Sequence, residues 1–243
     1  YCKNFVLTLQ TNGTLINERE AKWLKKMNFS TVHITLHSSI PEIHDKLANL
    51  PGAYNKVLNT IKLLKKNKVD VALKTVFLKQ NYKDRVGVVK LTRLFKTAFA
   101  GSPVVYPSNR GEKDSLKFRL SNRELQEYYN SYTAKERKEI YMQDYPYKPE
   151  RLCGAGSTDC CINAVGDVYP CVGFPLKVGN LKKQSFSEIW EKSDQLKKIR
   201  EIKFMDIHLC NNCKNYLNCL FCIKEVYSSI LSPNISRVSV FQS

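Results

Sequence analysis

The stretch Phe5-Val6-Leu7-Thr8-Leu9-Gln10-Thr11-Asn12-Gly13 opens the pattern that decides the fold. Phe5 to Gln10 reads as a short apolar strand, and Asn12-Gly13 is turn chemistry that halts it. Asn17 and Glu20 then form a capping pair for a helix through Met27, with Ala21, Leu24 and Met27 on one face. Val32, Ile34 and Leu36 alternate in the next strand, which ends at His37-Ser38-Ser39. Pro51-Gly52 precedes a helix whose Tyr54, Val57, Leu58, Ile61 and Leu64 follow helical spacing. Val69, Val71, Leu73, Thr75 and Phe77 alternate in a third strand. A helix through Val86, Val89 and Phe95 leads to a fourth apolar stretch, Pro103 to Tyr106.

Strands that alternate with helices imply an α/β protein with mostly parallel strands and right-handed crossovers. Four strands do not close an eight-stranded barrel. They form an open sheet, or part of a barrel whose opening strands are missing. In either case a ligand belongs at the C-terminal strand ends, among Thr11-Asn12-Gly13-Thr14, Thr35 to Ser39 and Leu78 to Asn81. From Ser108 to about Leu152 the composition turns polar and Tyr-rich, as in Leu125-Gln126-Glu127-Tyr128-Tyr129, and reads as a linker with a helix or two. After Cys222, Ser-Pro-Asn at 232–234 breaks a helix and Val238 to Phe241 reads as a short strand.

The 43% hydrophobic fraction is that of a globular protein, and no run of eighteen apolar residues marks a membrane span. The start lacks the charged and apolar regions of a signal peptide. It also lacks an initiator Met and opens almost inside a strand, which reads as a fragment. A net charge of +17 allows an electrostatic surface for an acidic partner, but the pairs Lys25-Lys26, Lys65-Lys66, Lys182-Lys183 and Lys197-Lys198 fall beside apolar helical stripes, as solvated faces do. No RNA-binding or helix-turn-helix pattern accompanies the charge, so neither nucleic acid nor membrane is expected as a partner.

Of nine cysteines, eight lie between Cys153 and Cys222, and Cys2 stands alone. An odd count, two-residue spacings and no secretory signal argue for reduced metal ligands in the cytoplasm rather than disulfides. The ladder runs Cys153, Cys160-Cys161, Gly166, Cys171, then Cys210-x2-Cys213-x5-Cys219-x2-Cys222. Two residues between cysteines let both thiolates meet one metal, and thiolate selects zinc or iron–sulfur centres over hard cations. Eight cysteines supply up to two four-ligand sites, for two zinc ions or two [4Fe–4S] clusters. Cys160 and Cys161 are adjacent, and strand neighbours point to opposite faces, so one of them joins Cys153 and Cys171 and the other is a bystander.

Cys153-Gly-Ala-Gly, Gly166-Asp-Val-Tyr-Pro-Cys171, Val178-Gly-Asn-Leu181, Ser187-Glu-Ile-Trp190 and the four-cysteine run resemble the SPASM domain, which follows a radical S-adenosylmethionine (SAM) barrel in peptide-modifying enzymes. Leu9-Gln-Thr-Asn-Gly-Thr-Leu15, Ile34-Thr-Leu-His37, Pro41-Glu-Ile-His-Asp45 and Pro51-Gly52 are similar to the middle strands of radical SAM barrels. Tyr106 to Gly111 and Phe118-Arg-Leu-Ser121 look like the connection in ribosomal-peptide maturases of this class. The resemblance implies a partial radical SAM barrel over 1–107, a helical linker over 108–152 and a SPASM iron–sulfur domain over 153–243. It implies one auxiliary [4Fe–4S] cluster on Cys153, one of Cys160 and Cys161, Cys171 and Cys222. A second, on Cys210, Cys213 and Cys219, lacks the family's final cysteine. It needs the spare one of Cys160 and Cys161, a non-Cys ligand or a further C-terminal segment, or it is absent.

Radical SAM enzymes hold the SAM-cleaving cluster on C-x3-C-x2-C, and neither that motif nor the family's GGE-type loop occurs in this chain. Thr11, Asn12, Gly13 and Thr35 flank the SAM pocket that the resemblance implies in an intact full-length enzyme. His37 stands where the family usually has Asp, and none of His33, His37, His44 and His208 is assigned a catalytic role. Val172 replaces the Asp that follows this cysteine in the sulfatase-maturing branch. The leading expectation is the C-terminal portion of a radical SAM/SPASM maturase acting on a ribosomally made peptide or protein, with auxiliary clusters for electron transfer and an electron-donor protein as a further partner. SAM cleavage is not expected from this chain alone. The alternatives are a non-catalytic metal-binding scaffold or partner subunit, and a zinc-ribbon protein.

Overall fold

The computed structural model describes residues 5–105, 114–133, 136 and 153–202. The chain divides into two compact units, 1–105 with 115–139, and 106–114 with 140–243.

In the first unit four parallel strands lie side by side in chain order: β1 (Thr8–Thr11), β2 (Thr31–Thr35), β3 (Val71–Val76) and β4 (Ala98–Ser102). The helices between them are α1 (Glu18–Lys26), α2 (Pro41–Ala48), α3 (Ala53–Lys66) and α4 (Arg85–Phe95). The register sets Leu9 beside Val32 and Ile34 beside Leu73, so one face of the sheet carries the apolar side chains. Ala21 and Leu24 of α1, Val57, Ile61 and Leu64 of α3 and Val88 of α4 pack into one core with Val32, Ile34, Leu36, Val71 and Leu73. Each of these Val, Leu and Ile side chains, taken fully out of water, contributes roughly 1.5–3 kcal/mol. The alternate residues Thr8, Gln10, His33, Thr35 and Lys74 are polar, so apolar packing commits a single face of this sheet.

The ends of α1 are set locally. Asn17 accepts from the Arg19 and Glu20 amides, and Glu20 accepts from the Asn17 amide in return, which forms the anticipated capping box. The helix stops at Lys26, so Met27 caps its end and is exposed rather than on the core face. The motif Pro41 to Asp45 is the start of a helix, with Pro at the first position where a missing N–H costs nothing. In α4 the buried positions are Arg85, Val88 and Thr92, while Val86 points to solvent.

The fourth strand is Ala98–Ser102, not the apolar stretch that begins at Pro103. Its small residues give little hydrophobic signal, but they pair with β3 from Ala72–Ala98 to Val76–Ser102. Tyr106, the end of the expected strand, lies outside the described residues. Beyond it, α5 (Asn122–Asn130) starts with a second capping box, Ser121 with Glu124, and belongs to the first unit. Its Tyr128 is buried with Phe77, Tyr82 and Leu120. Arg85 fastens the same region: it pairs with Glu136 at 3.2 Å, donates to Ser131 O and stacks 3.4 Å from the centroid of the Tyr132 ring.

The second unit holds a small antiparallel sheet, β5 (Cys161–Ile162), β6 (Asp167–Tyr169) and β7 (Gly179–Asn180), followed by α6 (Phe186–Lys192) and α7 (Asp194–Glu201). Asn163 Oδ1 accepts from the Val165 and Asp167 amides and closes the β5–β6 turn, which Gly166 completes at φ +88°. Val168, Val178, Ile189 and Leu196 form its core.

Candidate functional site

The C-terminal strand ends of the first unit open into a cleft of about 140 Å3, lined by Asn12, Thr14, Thr35, His37, His44, Leu47, Ala48 and Leu50. Of the four residues anticipated for cofactor binding, Asn12 and Thr35 line it. Thr11 and Gly13 shape the turn behind it: Thr11 Oγ1 accepts from the Gly13 amide, and Thr60 Oγ1 donates to Gly13 O at 2.6 Å. Gly13 has φ +74°, and a Cβ there would meet Ile34 Cγ2 at 3.0 Å. Asn12 Oδ1 accepts from the backbone and hydroxyl of Thr14, which holds both polar groups at the rim.

The far wall comes from the loop after β2 and from α2. His44 is buried, at 2% exposure, and its Nδ1 accepts from the His37 amide at 3.1 Å. An accepting Nδ1 places the proton of a neutral ring on Nε2. Burial, with His37 beside it, drives the His44 pKa down to about 4, against a smaller opposing effect of Asp45. Burial also lowers the His37 pKa. His37 Nδ1 is buried and has no hydrogen-bond partner among the described residues. The wall therefore offers hydroxyls, an amide and two uncharged imidazoles, and no charged side chain lines it. Such a surface orients a ligand through neutral hydrogen bonds.

The loop that carries His37 is fixed from the other side of the sheet end. Asp84 accepts from Ser38 Oγ at 2.5 Å, the Ser39 amide at 2.5 Å and Ser39 Oγ at 2.6 Å. Asn81, anticipated near the ligand, instead donates to His37 O and Val76 O and accepts from the Leu78 amide. Asp84 went unassigned in the sequence because its partners, Ser38 and Ser39, lie more than forty residues away in the chain.

In the second unit Cys153 and Cys160 are exposed, whereas Cys161 on β5 and Cys171 are half-buried. Cys171 packs against the small core of Ala155, Phe174, Ile199 and Ile202. Partial desolvation raises the Cys160 thiol pKa, with Cys161 and Asp159 adding to the effect. The donor set is all soft sulfur, which fits an iron–sulfur or zinc centre. Among the described residues no three such ligands converge on one point. Cys210, Cys213, Cys219 and Cys222 lie outside the described residues.

Both halves match known family models: residues 1–92 match the radical SAM superfamily, and residues 153–214 match SPASM, an iron–sulfur cluster-binding domain. The chain joins a radical SAM domain to a SPASM domain. These domains imply [4Fe–4S] clusters and SAM as cofactors. Among curated relatives, the AdoMet-dependent heme synthase of Methanosarcina barkeri is 24% identical over 92% of this chain and 70% of its own length. The cysteine-type anaerobic sulfatase-maturating enzyme of Clostridium novyi is 27% identical over 97% of this chain and 73% of its own. The solved structure of anSMEcpe with bound AdoMet and the Cp18Cys peptide has a TM-score of 0.61 at 22% identity, covering 87% of this chain. Streptococcus suis SuiB bound to the precursor peptide SuiA has a TM-score of 0.66 at 18% identity, covering 92%. The chain spans 64% and 56% of those two solved chains. The α/β sheet is thus that of a partial radical SAM barrel, followed by the SPASM domain. No helix among the described residues is long and apolar enough to cross a membrane.

Proposed function

We propose that this chain is part of a cytoplasmic radical SAM/SPASM enzyme that modifies a ribosomally made peptide or protein. The carrying observation is the pairing of a radical SAM domain with a SPASM domain in one chain. It is supported by likeness in fold to SuiB and anSMEcpe, both solved with a peptide bound. Cys153, Cys160 or Cys161, Cys171 and Cys222 would hold one auxiliary [4Fe–4S] cluster, and Cys210, Cys213 and Cys219 most of a second. When bound, such clusters exchange single electrons with the substrate or with a donor protein. Thr35, Asn12 and the neutral wall of His37 and His44 would hold part of SAM, with Thr11 and Gly13 shaping the turn. A cleft of about 140 Å3 takes only part of such a molecule, because sites that enclose ligands of this class run to roughly 300–1,000 Å3.

Anaerobically reconstituted protein is expected to be brown and to carry about four or eight irons per chain, as one or two cubane clusters require. Colourless protein with stoichiometric zinc overturns the reading. No 5′-deoxyadenosine is expected from this chain with SAM and reductant, because C-x3-C-x2-C is absent from it. A second reading, a tetrapyrrole substrate, rests on the similarity to the M. barkeri heme synthase. Titration with an iron porphyrin separates the two: a saturable Soret shift favours the tetrapyrrole, and its absence favours the peptide.

A further inference from the structure

Arg200 carries a charge that no carboxylate balances among the described residues of the second unit. It lies on α7, and its Nε donates to Gly156 O at 2.7 Å. Its guanidinium carbon lies 4.7 Å from the centroid of the Trp190 ring, a stack that orients the planar group. Its Nη2 is buried and has no hydrogen-bond partner among the described residues. A buried cationic N–H without an acceptor is costly, and an anion beside it removes that cost.

The segment that Arg200 grips is the one between two of the proposed ligands. Gly156 is three residues past Cys153, and its amide donates to the carbonyl of Pro170, the residue before Cys171. Ile199, the neighbour of Arg200 on α7, packs in the same small core as Ala155 and Cys171. Gly156 itself has φ +70°, and a Cβ there would meet Leu196 Cδ2 at 2.9 Å, so α7 lies directly against this loop. One helix therefore brings a fixed guanidinium to the backbone that carries both cysteines. Cationic N–H groups near cluster sulfurs raise the reduction potential, because the reduced cluster carries the greater negative charge.

We propose that Arg200 is a positioning and tuning residue for the iron–sulfur cluster held by Cys153 and Cys171, holding their loop through Gly156 and presenting its remaining N–H and its charge to the anionic thiolate assembly. The proposal rests on the SPASM cluster reading above. Its test compares the anaerobically reconstituted wild type with Arg200→Gln and Arg200→Lys by iron content, redox titration followed by electron paramagnetic resonance, and thermal melting of the iron-free protein. The Gln variant is expected to hold its cluster at a more negative potential than wild type, with the Lys variant, which keeps the charge, in between. Loss of iron in Gln alone, with iron-free melting unchanged, supports the same role. Equal potentials and iron contents in all three overturn it. So does equal loss of iron in both variants with equally lowered melting, since that is the mark of a loop anchor alone. A wild type that takes up no iron overturns the cluster reading itself, and the two failures are thereby distinguishable.

Discussion

Gly87→Ala opposes two effects of known sign. Gly87 lies in α4, where alanine normally stabilises a helix by about 1 kcal/mol. Here, however, an added Cβ would collide with Asp84 Oδ1 and Ser39 Oγ, and would stand 3.2 Å from Asp84 Cγ. The atoms it meets are the carboxylate and the serine hydroxyl, and these must part to admit it. That removes the 2.6 Å bond from Ser39 Oγ and disturbs those from the Ser39 amide and Ser38 Oγ. Hydrogen bonds to a charged group contribute about 1.5–3 kcal/mol each. Losing one and weakening a second outweighs the helix gain, and a net destabilisation of about 2 kcal/mol is expected. Urea unfolding at neutral pH measures it. The same substitution in a Ser39→Ala background should cost markedly less, since half of the collision is gone. If Gly87→Ala stabilises the protein by the helix increment instead, the Asp84 clamp on the His37 loop is refuted.

The His44 ring supplies a pH dependence. Its folded pKa of about 4 lies below the ordinary value of 6.5, so the unfolded chain takes up the proton first as pH falls. Its contribution is therefore fully present above pH 6.5, declines between 6.5 and 4, and levels off below, for a total of about 3 kcal/mol at 1.36 kcal/mol per unit. Urea midpoints across that window should fall less steeply for His44→Asn, and an unchanged slope would count against the buried neutral ring. Arg85→Met should cost about 3 kcal/mol, because among the described residues it leaves Glu136 only the exposed Arg93, at 3.6 Å, as an ion-pair partner. A loss below about 0.5 kcal/mol in urea unfolding would place the pair among inconsequential surface ion pairs.

The sequence by itself determined the elements whose signals are local. Alternating Val32, Ile34 and Leu36 mark a strand, because successive side chains point to opposite faces. Asn17 and Glu20 mark a helix start, because they satisfy each other's backbone amides within one turn. Cysteines two residues apart declare their chemistry, because sulfur's softness is a property of the residue and not of the fold. Tertiary structure alone decided β4. Ala98–Ser102 carries little apolar signal, yet it pairs with β3, and Gly101 lies where a Cβ would press within 2.7 Å of the Phe77 and Phe99 rings. Tertiary structure also decided the cleft wall and the setting of Arg200. Ser38 meets Asp84 across 46 residues and Arg200 meets Gly156 across 44, and no local pattern records which distant carboxylate or carbonyl the folded chain delivers.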